Sequence, residues 1–197
     1  MVGFPSPFDR GEASDSFDDY DAFVPGHLPA PGPFLDGHRV LVDDRHVAFH
    51  RTTRELFEAR GVYDVTFGYN LARLNLDGRH PDAGFRYAED VDDTGTLRAE
   101  FTPTTPFCPQ AHTLTVGAFR AWNGESDRHA YDLVRVRVAQ MHHRSEAIDG
   151  VLADAEARFL ETGSVEGASD AETETREDTA GGDTGAPVRL GEVDAPF

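Results

Sequence analysis

A two-layer α+β domain, ordered helix, strands, helix, strand, helix and set between acidic flanks, is the fold class that this chain predicts. Three observations carry that expectation. Apolar residues recur at helical spacing in three stretches, and they alternate with polar ones in others. Two of the alternating stretches meet across a tight turn, which makes a hairpin rather than a repeated crossover unit.

In chain order, Asp43 or Asp44 is placed to cap a first helix. Its apolar positions are Val47, Phe49, Leu56 and Phe57, and Gly61 supplies the stop. After Tyr69, the residues Ala72, Leu74 and Leu76 alternate with polar ones and predict a strand that ends at Asp77-Gly78. Phe85 and Tyr87 lie on one arm of a hairpin, Asp92 to Gly95 form its turn, and Leu97, Ala99 and Phe101 alternate on the return arm. Pro103, Pro106 and Pro109 make 102–109 a loop, because each withholds a backbone donor and biases the residue before it toward extended geometry. From Gln110 to Trp122 a stripe of Ala111, Leu114, Ala118, Phe119 and Trp122 predicts the second helix, ended by Asn123-Gly124. Val134, Val136 and Val138 against Arg135 and Arg137 give a strand. Ser145 is placed to cap a last helix carrying Ile148, Leu152, Ala155 and Phe159.

Composition divides the 197 residues into three parts. The net charge is −18, from 36 acids against 18 bases, and every base is arginine. Residues 1–36 carry −6, residues 37–161 carry −5 and residues 162–197 carry −7, so the middle is nearly balanced and is expected to be the folded domain. The tail at 162–197 lacks apolar periodicity and is expected to be disordered. The Pro, Gly and Asp-rich segment at 1–36 holds Phe4, Phe8, Phe17, Tyr20, Phe23 and Phe34 and reads as an irregular arm whose aromatics are free to dock. So acidic a chain repels phosphate backbones and anionic headgroups, which argues against nucleic-acid or membrane-surface partners. No apolar run is long enough to span a bilayer and no leader stands at Met1, so a cytoplasmic location is expected. Asp makes up 22 of the 36 acids and Lys is absent, a composition suited to a halophilic setting.

The chemistry centres on Thr104-Thr105-Pro106-Phe107-Cys108-Pro109. The single cysteine stands at the end of a strand-to-helix loop with Pro109 at the first helical position. Free N–H groups and the positive helix end would then favour its thiolate. A buried small side chain under the loop is the plainer alternative. His112 lies four residues on, and with His142 or His143 it offers nitrogen donors for one soft or borderline metal ion. Two surface loop histidines and one helix-face histidine are the alternative.

The alternating strand Leu97–Phe101 running into Thr104–Pro109 and a helix resembles the SufT and PaaD-like family of iron-sulfur cluster assembly proteins, built on an FSCA-type domain. Asp64, Gly68 and Asn70 match a second segment of that family, with Val65 and Thr66 where it has Pro and Glu. The likeness covers about 45–161. It implies a small cytoplasmic adaptor, not an enzyme with turnover, that binds or transfers iron or a cluster through Cys108 and meets assembly or client proteins. One thiolate cannot hold a four-cysteine cluster, so a transient cluster would draw further ligands from a second protomer, a partner, or His112 or His143. Two other readings stand beside it. One is a thiol enzyme with Cys108 as nucleophile and a histidine as base. The other is an interaction module using the N-terminal aromatics. Phosphate-binding, serine-nucleophile and zinc-protease motifs are absent from the sequence.

Overall fold

A computed structural model describes residues 16–19, 22 and 24–166. Its architecture is α+β: helices packed on a four-stranded mixed sheet, with a separate two-stranded hairpin. After a two-residue strand β1 (Arg39–Val40) comes α1 (Asp43–Arg60), and then β2 (Tyr63–Asp64) and β3 (Tyr69–Asn70), which pair antiparallel with each other. There follow β4 (Gly84–Glu89), β5 (Thr96–Thr102), α2 (Ala111–Asn123), β6 (Leu133–Val138) and α3 (Ser145–Thr162). The sheet order is β1-β4-β5-β6.

The hairpin of β4 and β5 forms in the register that its alternation predicts, with Phe85 opposite Phe101 and Tyr87 opposite Ala99. β6 returns parallel to β5, Leu97 opposite Val134 and Ala99 opposite Val136, which the intervening helix α2 makes possible. One face of the sheet carries the core. Trp122 of α2 meets Phe57 of α1 at 5.0 Å and Phe85 of β4 at 5.2 Å between ring centroids. Its indole Nε1 donates to Thr53 Oγ1 at 3.1 Å, so the one polar atom of the ring is satisfied in the interior. α3 closes the end of the core at β6 through Ile148, Leu152 and Ala155.

Helix boundaries follow physical signals, in part different from those the sequence suggested. Gly61 adopts the left-handed conformation (φ 68°) and ends α1, as expected of a C-terminal stop. At the other end neither Asp43 nor Asp44 caps; Val42 holds the cap position, and both carboxylates sit in the first turn, where the helix dipole favours them. Ser145 is likewise the first residue of α3 and not its cap. α2 is tied to β6 by Asn123, whose side chain accepts from Val134 N at 2.8 Å and donates to Val134 O at 2.9 Å.

The stretch expected as a strand through Ala72, Leu74 and Leu76 is instead a 3-10 helix, Leu71–Leu76. Asn70 caps it by accepting from Ala72 N at 2.9 Å. Leu71, Ala72, Leu74, Asn75 and Leu76 are all buried, so over six residues an alternating and a three-residue period leave the same trace. Asn75 at its end stands in for a neighbouring strand. Its amide donates to Phe85 O at 2.8 Å and accepts from Phe85 N at 2.7 Å, where β1 is too short to reach.

The opposite sheet face is covered by residues ahead of position 37. Gly32 N donates to Glu100 Oε1 at 2.7 Å, Arg98 donates to Phe34 O at 3.2 Å, and Leu35 is buried. The guanidinium groups of Arg98 and Arg137 lie 4.9 and 5.4 Å from the Phe34 ring centre. The packed unit thus begins before the composition boundary. Phe17 also packs, edge-on to Tyr69 at 5.7 Å with Arg73 over its face at 3.9 Å. Phe4, Phe8, Tyr20 and Phe23, and the tail from 167 on, lie outside the described residues.

Candidate functional site

The β2–β3 hairpin and the loop from β5 to α2 meet at a cleft of about 290 Å³, lined by Asp64, Thr66, Phe67, His80, Thr104, Thr105, Cys108 and Pro109. Two local devices build it. Asp64 is buried, and its Oδ1 accepts from Thr66 N at 2.8 Å and Phe67 N at 3.2 Å, folding the hairpin tip back on the carboxylate. Gln110, at the cap position of α2, then clips hairpin to loop. Its amide donates to Thr66 Oγ1 at 2.6 Å and accepts from Val65 N at 3.2 Å.

Cys108 stands three residues ahead of the first residue of α2, half-buried. Cys108 N donates to Thr105 O at 3.3 Å, and Ala111 N donates to Cys108 O at 3.3 Å, so the loop makes two successive turns into the helix. The expected depressed thiol is corrected. Burial pushes the Cys108 pKa above its ordinary value, and the nearby Asp64 carboxylate pushes it further. The N–H groups of Gln110 and Ala111 act in the opposite direction and do not overcome burial. Helix-start geometry is present, but desolvation outweighs it.

The predicted donors are distributed differently from the expectation. Because Cys108 precedes the helix, the four-residue spacing to His112 does not put the two side chains on one helical face; His112 is half-buried in the first turn of α2. His142 is buried and turns onto the loop backbone: its Nε2 donates to Cys108 O at 3.1 Å, and its Nδ1 accepts from Arg144 N at 3.2 Å. Both ring nitrogens are therefore engaged. His143 is exposed, and its Nδ1 donates to Pro106 O at 2.8 Å. Among the described residues, no group of three or more His, Cys, Asp or Glu side chains is arranged to hold a metal ion.

Asp64 lines the same cleft as the cysteine, while Gly68 turns the hairpin at φ 71° and Asn70 donates to Arg54 O at 2.9 Å. Thr104, Thr105 and Pro109 line the cleft, whereas Pro106 supplies the carbonyl that His143 holds. The sequence reading missed His80, whose ring packs at a tilt 4.8 Å from Phe67 at the cleft wall, and Gln110. His80 follows a long irregular connection with no period to place it. Gln110 had a signal, a polar residue directly after Pro109 where a helix start needs side-chain partners.

One family model matches the chain over residues 15–166, a domain of unknown function, DUF7998. The chain belongs to the DUF7998 family. No curated protein and no solved structure matches it. The match corrects the resemblance to the SufT and PaaD-like family, which is not the family identified. A proline-rich strand-to-helix loop with one cysteine is short, and similar loops arise wherever such a turn must be closed. The DUF7998 match also starts ahead of position 37, in agreement with the burial of Leu28 and Leu35. No helix among the described residues is long and apolar enough to cross a membrane.

Proposed function

We propose that this DUF7998 protein is an accessory factor of iron-sulfur cluster assembly or maturation that carries iron or a cluster transiently on Cys108. The observation that supports it is the composition of one cleft: a thiol, the Asp64 carboxylate and the His80 imidazole line the same 290 Å³ space. Sulfur, oxygen and nitrogen are donor types that suit iron, and because the three side chains among the described residues are not arranged as a ready-made metal site, Cys108 is the anchor and the cargo is handed on. The remaining ligands come from a partner or a second copy of the chain, so docking and release are one ligand exchange. The raised thiol pKa fits a carrier: the resting thiol is protonated, and an arriving ferrous ion displaces that proton to solvent. A protonated thiol is a weak nucleophile, which works against the enzyme reading. A cytoplasmic setting, where thiols stay reduced, suits the lone cysteine, and iron-sulfur assembly or client proteins are the partners this reading calls for.

Replacing the chromosomal copy with Cys108→Ser tests this in the cell. The folded variant is expected to accumulate normally while iron-sulfur enzyme activities fall; unchanged activities would refute the proposal.

A further inference from the structure

We infer that His142 and His143 are positioning residues that clamp the Cys108 loop, and not ligands of the cargo. The inference rests on the cysteine site proposed above and deepens it. Two consecutive histidines in the turn from β6 to α3 reach across to carbonyl groups two residues apart in the loop, those of Pro106 and Cys108. The contacts are directional. A carbonyl oxygen only accepts, so His142 must carry its proton on Nε2 and His143 on Nδ1.

His142 is fixed from both sides, because its Nδ1 accepts from Arg144 N at 3.2 Å. It is 3% exposed, so its hydrogen bonds have little competition from water. His143 doubles its hold: its backbone N also donates to Pro106 O, at 3.0 Å. Its ring lies 5.1 Å from Phe107 and 4.8 Å from His142, both in tilted contact, so the pair packs against the loop.

The loop has particular need of such a clamp. Pro106 and Pro109 have no N–H to donate, which leaves few backbone ties of its own. With the carbonyls at 106 and 108 held, the backbone on either side of Cys108 is fixed, and the thiol faces the cleft beside Asp64. A ligand histidine needs a nitrogen lone pair; on His142 that lone pair is already taken by Arg144 N, while His143 keeps one on Nε2, so for His143 the iron content of His143→Asn decides between clamp and ligand.

Amide substitutions separate the two roles. Gln in place of His142 puts an N–H where Nε2 stood, and Asn in place of His143 puts one where Nδ1 stood; neither supplies an imidazole lone pair. The readouts are the rate of Cys108 alkylation by iodoacetamide on the metal-free full chain, with circular dichroism to confirm folding, and iron retained after anaerobic reconstitution. His142→Leu and His143→Leu are expected to speed alkylation by about tenfold, the scale of one lost hydrogen bond. His142→Gln and His143→Asn are expected to stay within about twofold of the parent and to keep its iron. Leu variants that alkylate at the parent rate would overturn the inference. So would Gln and Asn variants that fold but lose iron, since that is the behaviour of ligands. If a Leu variant does not fold, its amide counterpart decides alone: parent-like alkylation supports the clamp, and a tenfold rise refutes it. Failure of the underlying reading looks different. Cys108→Ser would then retain as much iron as the parent, whatever the alkylation rates show.

Discussion

Burial acts on two kinds of residue here, in opposite chemical directions and for one reason. Desolvation opposes charge, so it raises the thiol pKa of Cys108 and lowers the imidazole pKa values of His46 and His50, to about 3 and about 4. Those two histidines stack at 5.5 Å between α1 and Tyr87, with His50 bonded to Tyr87 Oη at 2.8 Å and Ala72 O at 2.9 Å. Both are neutral in the folded chain. Their folded values lie below the ordinary 6.5, so the stability they contribute is complete above about pH 6.5 and is lost as the pH falls toward 4 and 3. The melting temperature is therefore expected to drop between pH 7 and pH 5, with a shallower drop in His46→Phe. Glu100 and Asp149, whose carboxyls burial holds above the usual range, act in the opposite sense. Comparison with the variant isolates the histidine. Equal pH profiles for the two proteins would contradict this account. The sequence pointed to neither histidine, because a polar residue at a helical core position carries no periodic signal of its own.

At the scale of elements, the hairpin of β4 and β5, the valine strand and the three helices were legible because each spans several periods of its pattern. What escaped was short or depended on distant contacts. The 3-10 helix at Leu71–Leu76 is buried at every position but Arg73, and the β2–β3 hairpin rests on an aspartate turn and on Gln110. The cysteine cleft was half legible: its loop was found, while His80 and the clamping role of His142 needed the tertiary fold. The strap ahead of position 37 was hidden by its composition, yet Glu100 binds it strongly. Glu100 is 2% exposed, and a Cβ added at Gly32 would come within 2.4 Å of its carboxylate. An added methyl would push the carboxylate off its bond to Gly32 N, so Gly32→Ala is expected to destabilise the fold by about 1 kcal/mol, the scale of one lost hydrogen bond, measured by urea unfolding. A parent-like midpoint would mean that the strap does not depend on this contact.

For the whole molecule, the −18 net charge and the folded unit are largely separate matters, since the acids concentrate toward the ends and arginine nearly balances the middle. The fold brings the β2–β3 hairpin and the β5–α2 loop together around one thiol and braces that loop from the β6–α3 turn. Sheet, helices and clamp converge on Cys108, so the account stands or falls on that sulfur. The most direct measurement is iron bound per chain after anaerobic reconstitution with ferrous iron and sulfide, with a small thiol present to fill the ligand positions that a partner would take. The account predicts iron and a visible absorbance in the parent protein, both lost in Cys108→Ser. Equal iron content and identical spectra for the two proteins would contradict it.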